Sequence, residues 1–180
     1  MKRCIWCNEK NPLYVKYHDE EWGVPRFDDG YLFEMLLLES FQAGLSWECV
    51  LNKRENFRRA FDGFDRMRIQ GYGEGKLCEL YANSGIIRNK RKILAAVNNA
   101  RVFEEIVSEC GSFLNYLRGF WDGETVYDST SVTSPLSDAI SKDLSLRGMS
   151  FVGSTIIYSF LQAIGVINSH GDGCFLSVKP

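Results

Sequence analysis

The chain has 180 residues, 45% of them hydrophobic, and a formal net charge of −2. This composition supports one folded domain with a real core, and it argues against a broad coat of positive charge but not against a local basic patch. Met1 to Trp6 lead directly into polar sequence, with neither a signal peptide nor a membrane span in view. We therefore expect a cytoplasmic protein without a membrane partner, whose six cysteines are thiols or metal ligands and not disulfides.

The first 28 residues show little helical periodicity, and the first predicted helix begins near Asp29. It ends at Gly44, which can adopt the left-handed conformation that many helix ends require. Ser46 then predicts the N-cap of a second helix, over 47–61, with apolar residues at three- and four-residue steps.

The middle of the chain predicts more helices. Short ones are expected around 65–69 and 77–81, a long one over 93–107, and another after the cap residue Ser112. Residues 122–134 have no period and are rich in Thr, Ser and Val, so we interpret them as a loop.

The last third of the chain predicts two helices joined by a tight connector. Ser134 followed by proline is a good helix start, and that helix ends at Gly148. Ser154 or Thr155 then caps a final helix, over 156–166, which is apolar nearly all round and should form the buried centre. No convincing alternating strand is found, so the predicted fold class is all-α.

One acidic side chain lies on an apolar face. Glu39 follows Met35 and Leu36 by one turn and lies near the negative end of its own helix. A carboxylate there is unfavourable unless something uses it. Either its tip escapes to water, or it is a pocket acid held beside aromatic rings.

Two cysteines and two histidines form a candidate zinc set. His170 and Cys174 have an acceptable local spacing, whereas the gap from Cys4 to His18 is longer and weaker as a signal. Unrelated polar residues in loose termini would give the same pattern, and Cys7 competes with Cys4 as a ligand. Four protein ligands would make the zinc structural, because no position remains open for water.

Three weaker patterns point to nucleic acid. The helix start after Gly153 aims backbone N–H groups at one point, as a phosphate site does, although an ordinary turn looks the same. Basic residues cluster on two helices, where a solvated face is the simpler explanation. Aromatic residues near Glu39 and the candidate ligands could stack on bases or merely pack the core. The basic clusters are Lys53, Arg54, Arg58 and Arg59, and Arg88, Lys90, Arg91 and Lys92.

Taken together, the ordered motifs resemble the bacterial 3-methyladenine DNA glycosylase I family, a zinc-containing branch of the helix-hairpin-helix glycosylases. The resemblance covers nearly the whole chain. It rests on Arg3-Cys4, Pro12-Leu13-Tyr14, Tyr17-His18-Asp19, Glu21-Trp22-Gly23-Val24-Pro25, Leu32-Phe33-Glu34-Met35, Gln42-Ala43-Gly44-Leu45-Ser46-Trp47, Lys53-Arg54-Glu55-Asn56, Gly85-Ile86-Ile87-Arg88, Phe151-Val152-Gly153, and His170 with Cys174.

The resemblance implies a role for each candidate residue. Glu39 would contact the excised base as the catalytic-site acid, with Tyr17 and Trp47 stacking against it and Trp6, Tyr14 and Trp22 surrounding it. The Gly44-Leu45 turn would enter the gap left in the duplex, and the hairpin at Gly153 and Ser154 would hold the DNA backbone. Cys4, His18, His170 and Cys174 would bind one structural zinc ion.

The resemblance also implies a function. The chain would be one domain over 1–180, with a helical lobe at about 28–134 and a zinc lobe formed by about 1–27 with 135–180. It would act as a monomer on alkylated double-stranded DNA and release 3-methyladenine. The catalytic aspartate of the wider superfamily is absent, because Asn168 stands roughly where it would lie.

Two other functions stay open from the residues alone. One is a zinc-stabilised helical DNA-binding module without activity, which suits the hairpin and basic clusters but leaves Glu39 unexplained. The other is a metallohydrolase that uses the Cys/His site, against which four protein ligands argue.

Overall fold

The computed structural model describes residues 1–177, and these form a structure built almost entirely of helices, as predicted. The α-helices are α1 (Pro12–Glu20), α2 (Asp29–Gln42), α3 (Trp47–Leu51), α4 (Arg54–Ala60), α5 (Arg66–Ile69), α6 (Glu74–Ala82), α7 (Lys90–Cys110), α8 (Phe113–Arg118), α9 (Pro135–Leu146) and α10 (Ser154–Ala163). A 3-10 turn covers Asp62–Phe64. Two short strands, β1 (Val126–Tyr127) and β2 (Ile167–Asn168), complete the described elements.

The core is centred on α2 and α10. Every residue of α2 from Tyr31 to Phe41 is buried, and α10 packs both on α2 and on α9. The Tyr31 hydroxyl donates a hydrogen bond to the carbonyl of Ala163 at 3.2 Å, which joins the start of α2 to the end of α10. The prediction that the last helix is the buried centre is confirmed, although it ends at Ala163 and not at 166.

The sequence analysis places the first helix near Asp29, and this prediction is wrong because α1 lies before it, at Pro12–Glu20. The Asn11 side chain accepts a hydrogen bond from the N–H of Leu13, and Pro12 occupies the first helical position. Tyr14, Tyr17 and His18 are buried at helical spacing. Aromatic and histidine side chains therefore form the buried face of α1 where aliphatic ones are usual.

The predicted single helix over 47–61 is two helices. The chain breaks after α3, at Asn52 and Lys53, and resumes as α4. Both residues at the break make contacts outside this segment. Asn52 accepts a hydrogen bond from the Asn11 amide at 2.9 Å, and the Lys53 amine donates one to the Gly85 carbonyl at 3.4 Å.

The segment expected to be a loop, 122–134, contains β1, which pairs in parallel with β2 just after α10. Val126 lies opposite Ile167 and Tyr127 opposite Asn168. A two-residue strand has no readable period, so only long-range pairing reveals it. The pairing brings the residues after β1 beside those after β2.

A close approach at the end of α10 fixes the segment after α1. Gly165 has φ +78°, and a Cβ atom there would lie 2.3 Å from the backbone nitrogen of Pro25. Without that side chain, the Gly23 N–H reaches the Gln162 carbonyl at 2.9 Å. The contact sets Trp22 against the last turn of α10.

The predicted pairing of the last two long helices is confirmed. Ser134 caps α9 in a reciprocal capping box, and the chain turns through Gly148, with φ +97°, before α10 begins. Within residues 1–177, no helix is both long enough and apolar enough to cross a membrane.

Candidate active site

A cavity of about 240 Å³ opens where α1, α2, α3 and α10 meet the segments after β1 and β2. All six residues predicted to surround a base line it, although they come from four separate stretches of chain. The lining residues are Trp6, Tyr14, Tyr17, Trp22, Glu39, Gln42, Trp47, Ser129, Ser131, Ser159, Gln162 and Ser169.

Glu39 is the acid of this cavity. Its side chain is only 2% exposed, and Oε2 has no hydrogen-bond partner in the described protein. Burial raises its pKa well above the usual value, because no neighbouring charge compensates for the lost water. Of the two interpretations open from the sequence, the geometry therefore matches a pocket acid beside aromatic rings and not a tip that escapes to water.

Aromatic rings form the walls. Tyr17 and Trp47 lie with ring centroids 5.2 Å apart and planes inclined by 48°, and both line the cavity with Glu39. Trp6 packs edge-on against Trp22 at 4.7 Å and lies 5.2 Å from Tyr14. Such faces attract a flat ring that carries positive charge.

The two tyrosines stay protonated. Burial raises the pKa of Tyr14 to about 12 and that of Tyr17 well above its usual value. Their hydroxyl groups are therefore neutral near pH 7, and the acid that can change charge in this cavity is Glu39.

Several polar residues that line the cavity are not predicted by the sequence. Gln162 donates a hydrogen bond to the Ser169 hydroxyl at 2.7 Å, and Ser129 and Ser131 follow β1. Isolated serines and a glutamine carry no motif, so the parallel pairing of β1 with β2 would have been needed to find them. Gln42 belongs to the motif that runs from Gln42 to Trp47, but the motif alone predicts no role for its side chain.

Three buried polar atoms of the lining residues lack partners. Glu39 Oε2 and Gln42 Oε1 are acceptors, whereas Trp47 Nε1 is a donor. Unpaired buried polar groups each cost free energy, so a ligand that satisfies them gains by doing so. The cavity is complementary to a flat ring with both donors and acceptors on its edge.

The predicted wedge residues lie at the rim. Gly44 has φ +78° and open space around it, and the neighbouring Leu45 is 43% exposed. They follow α2 directly, between the lining residues Gln42 and Trp47. The helix end predicted at Gly44 is confirmed, with the last helical residue at Gln42.

The predicted backbone-binding residues lie at the start of α10. Gly153 is exposed and caps α10 without a side-chain hydrogen bond, so the first backbone N–H groups of the helix are open. The Ser154 hydroxyl is already engaged within the protein, with Ser137 at 2.8 Å and with Asp138. Only its backbone N–H is therefore available for a phosphate.

The two basic clusters are not both free surfaces. Arg54 bridges Glu34 and Glu21 at 2.7 Å each, and Arg58 also contacts Glu34 at 2.7 Å. In the second cluster Lys92 is buried, while Arg88, Lys90 and Arg91 are exposed. Two of the four residues in the first cluster are therefore engaged in ion pairs within the protein, and three residues of the second face solvent.

The four candidate metal ligands converge beside the cavity. The ligand atoms of Cys4, His18, His170 and Cys174 all lie within 4.8 Å of one another. Cys174 Sγ lies 3.5 Å from both histidine nitrogens, and Cys4 Sγ lies 3.6 Å from His170 Nδ1. A tetrahedron with Zn–S of about 2.3 Å and Zn–N of about 2.05 Å has S···N edges of roughly 3.5 Å, so the residues fit this ion.

Neighbouring groups orient both histidines toward the ligand cluster. His18 Nδ1 lies 2.7 Å from Asp19, whose carboxylate also binds Arg3. This turns His18 Nε2 toward the ligand cluster, where it accepts a hydrogen bond from the Cys4 N–H at 3.2 Å. His170 Nε2 lies 3.1 Å from the Trp22 carbonyl, which leaves Nδ1. The hydrogen bond from Arg3 lowers the pKa of Asp19, which keeps it a charged acceptor.

The competing ligand Cys7 lies outside the four-residue cluster. It is buried, and its thiol points to the Tyr14 carbonyl at 3.8 Å.

Burial raises the pKa of the Cys4 thiol to about 11, which disfavours the thiolate that metal binding requires. A bound dication would offset this effect by favouring the thiolate.

The fold is that of solved 3-methyladenine DNA glycosylases. A crystal structure of 3-methyladenine DNA glycosylase I superposes with a TM-score of 0.92 at 45% identity, covering 97% of this chain and 99% of that one. A Tyr-to-Phe variant of such an enzyme, solved in complex with 3-methyladenine, gives 0.91 at 30% identity, over 97% and 96% of the two chains.

The sequence comparison is as extensive. The methyladenine glycosylase family model matches residues 6–177, so the chain belongs to this family. It is 45% identical to DNA-3-methyladenine glycosylase 1 of Escherichia coli over 97% of this chain and 96% of that protein. The family predicted from the motifs is thereby confirmed.

Proposed function

We propose that this protein is a base-excision repair glycosylase that flips 3-methyladenine out of alkylated DNA and removes it hydrolytically, leaving an abasic site. The relatives reported above are named 3-methyladenine DNA glycosylases. The observation that carries the proposal is Glu39, a buried acid without a partner in a cavity walled by aromatic rings. This feature separates the proposal from a DNA-binding module without activity.

The chemistry of the lesion explains how such a cavity suffices. 3-Methyladenine in DNA is cationic, so its glycosidic bond is already weak and its leaving group becomes neutral on departure. Tyr17 and Trp47 would stack on the cationic ring, and Glu39 would accept a hydrogen bond from the adenine edge. Normal adenine is neutral and gains less from both contacts, so its rejection is a difference of affinities.

Extrusion of the nucleotide requires groups outside the cavity. Leu45, exposed at the rim beside Gly44, would fill the gap left in the duplex. The open N–H groups at Gly153 and Ser154 would hold a phosphate of the same strand. Asn168 cannot serve as a general base, and its side chain accepts a hydrogen bond from the His170 N–H at 3.1 Å.

The metal is proposed to be one structural zinc ion, held by Cys4, His18, His170 and Cys174. The metal would stabilise the packing of the first residues against the last, and no step of base removal involves it. We keep the division proposed for the single domain, 1–180, into a helical lobe at about 28–134 and a zinc lobe of 1–27 with 135–180. The ligand cluster supports this division, because all four candidate ligands lie in 1–27 or 135–180.

The protein is proposed to act as a monomer on double-stranded DNA. The substrate supports a cytoplasmic location, where chromosomal DNA of bacteria lies. Light scattering on purified protein would test the oligomeric state.

The activity is tested directly on duplex DNA treated with a methylating agent. We expect release of 3-methyladenine, identified by mass spectrometry, with unmodified adenine retained. The 7-methylguanine in the same DNA serves as an internal control, since it is also cationic but presents a different edge to Glu39. Release of no base would contradict the proposal in favour of a binding module.

The protein is expected to lack strand-cleaving lyase activity. Bifunctional glycosylases use a hairpin lysine as a Schiff-base nucleophile, and Phe151 to Leu161 contain none. Among the described residues, none of those lining the cavity is a lysine. Borohydride trapping on alkylated DNA should give no covalent adduct, and an adduct would show that an amine takes part.

A further inference from the structure

Lys92 is a buried amine that the proposed base-binding site does not use. It lies in the first turn of α7 with 5% of its surface exposed. Its Nζ donates hydrogen bonds to the backbone carbonyls of Phe41, at 2.8 Å, and Ala43, at 2.6 Å. A lysine is rarely buried this far unless its hydrogen bonds compensate for the lost hydration.

The carbonyls of Phe41 and Ala43 lie at the end of α2, directly before the Gly44-Leu45 turn. Carbonyls of a last helical turn have no partner within the helix, and the negative end of the helix favours a cation there. The Leu45 N–H meanwhile reaches the Gln42 carbonyl at 2.6 Å. Lys92 therefore holds the base of the turn that carries Gly44 and Leu45.

The same helix also contacts the connector between α9 and α10. Lys92 Nζ lies 5.8 Å from the centroid of the Phe151 ring. About two turns further along α7, the Asn99 side chain donates a hydrogen bond to the Ser150 carbonyl at 2.9 Å and accepts one from the Ser150 N–H at 3.0 Å. Phe151 has φ +58°, a strained value for a residue with a side chain, so the connector is held in a defined shape.

We propose that Lys92 is a positioning residue for base extrusion, which holds the Gly44-Leu45 turn in register with the 149–153 connector. The connector would bind the backbone of the DNA strand, while the Gly44-Leu45 turn would enter the gap in the duplex. The distance between connector and turn would therefore decide which nucleotide faces the cavity. The inference rests on the proposed function. It differs from a purely structural role because it predicts loss on duplex DNA without an equal loss of base affinity.

Lys92→Met keeps the length and apolar stem of the side chain but removes both hydrogen bonds. Misplacement of the turn by about 1 Å should lower single-turnover excision from duplex DNA by about 100-fold. Binding of free 3-methyladenine, followed by tryptophan fluorescence, should change by less than about threefold. Lys16→Met, which removes the same charge from an exposed position on α1, is the matched control.

A double-mutant cycle with Leu45→Ala separates the two roles. If Lys92 acts through the turn, the double variant should be no slower than Lys92→Met alone. Losses that multiply, or a fall in base affinity parallel to the fall in excision, would overturn the proposal.

Hydrogen exchange tests, without any substrate, whether Lys92 holds the Gly44-Leu45 turn. Amides of residues 43–46 should exchange faster in Lys92→Met than in the wild type, while those in the middle of α2 should not. Unchanged exchange at 43–46 would reject the role of Lys92, whereas a wild type that excises nothing would reject the proposed function instead. If Lys92→Met does not fold, Lys92→Gln, which is shorter and keeps a donor, takes its place in all three measurements.

Discussion

Glu39→Gln should weaken binding of free 3-methyladenine by about ten- to hundredfold, with fold and metal content unchanged. The substitution keeps the shape and one acceptor but removes the ability to hold or give up a charge. In the free protein burial favours protonated Glu39, but hydrogen bonds donated by the bound ring favour its ionised form. Gln therefore loses a charge-assisted hydrogen bond, which costs about 1.5–3 kcal/mol. Fluorescence titration and circular dichroism on one preparation provide the measurement.

Excision by Glu39→Gln should fall by a comparable factor if Glu39 acts chiefly in recognition. The comparison must use the same preparation, so that an inactive fraction cannot imitate a slow enzyme. Unchanged affinity beside an excision rate lost by many orders of magnitude would instead make Glu39 an acid–base catalyst.

The same variant should gain stability relative to the wild type as the pH rises. The pKa of Glu39 is raised in the folded protein, so the folded state keeps a proton that the unfolded chain loses above about pH 4.3. Wild-type stability therefore falls as the pH rises from the unfolded-state pKa toward the higher folded-state pKa, and Gln escapes this loss. Melting temperatures compared between about pH 4.5 and 8 check it, and a constant difference would indicate an ordinary pKa.

Loss of a metal ligand should produce the largest change in stability. Structural zinc in small domains is worth about 10–16 kcal/mol of apparent binding energy, so loss of one thiolate should cost on the order of 4 kcal/mol. That lowers the melting temperature by about 10 °C for a chain of this length. Calorimetry and metal analysis of Cys4→Ser and Cys174→Ser provide the test, with one zinc per chain expected in the wild type.

Cys78→Ser is the matched control, because Cys78 is exposed and lies outside the ligand cluster. Wild-type stability in both ligand variants, or a well-folded wild type without metal, would reject the assignment. Zinc retained by Cys4→Ser would indicate that Cys7 moves in as a substitute ligand.

The helical fold was largely predictable because its longer helices carry strong local signals. Asp29–Gln42 and Pro135–Leu146 begin and end near the cap and glycine positions that the sequence indicates. The helix α1 was missed because its buried face is made of tyrosine and histidine, which also suggest a site. These residues serve both purposes, as Tyr17 lines the cavity and His18 joins the ligand cluster.

The cavity was predictable on its aromatic side and not on its polar side. Glu39 stands out because a carboxylate interrupts an apolar face, and the motifs of the family point to its aromatic neighbours. Ser129 and Ser169 reach the cavity through the pairing of β1 with β2, which no local pattern encodes. Lys92 was misread as part of a basic surface, because a charged residue in a cluster of charges gives no sign of burial.

The order in which the ligands occur along the chain affects how the protein matures on the ribosome. Cys4 and His18 emerge first, whereas His170 and Cys174 emerge after all the helices found within residues 1–177 have been synthesised. Domains fold as units during synthesis, N-terminal parts first, so the nascent helices must remain in the cell without the metal that would hold them. Uptake of the proposed zinc ion would then be the last event of maturation. A chain that stops before His170 would contain every residue that lines the cavity but only half of the candidate metal ligands.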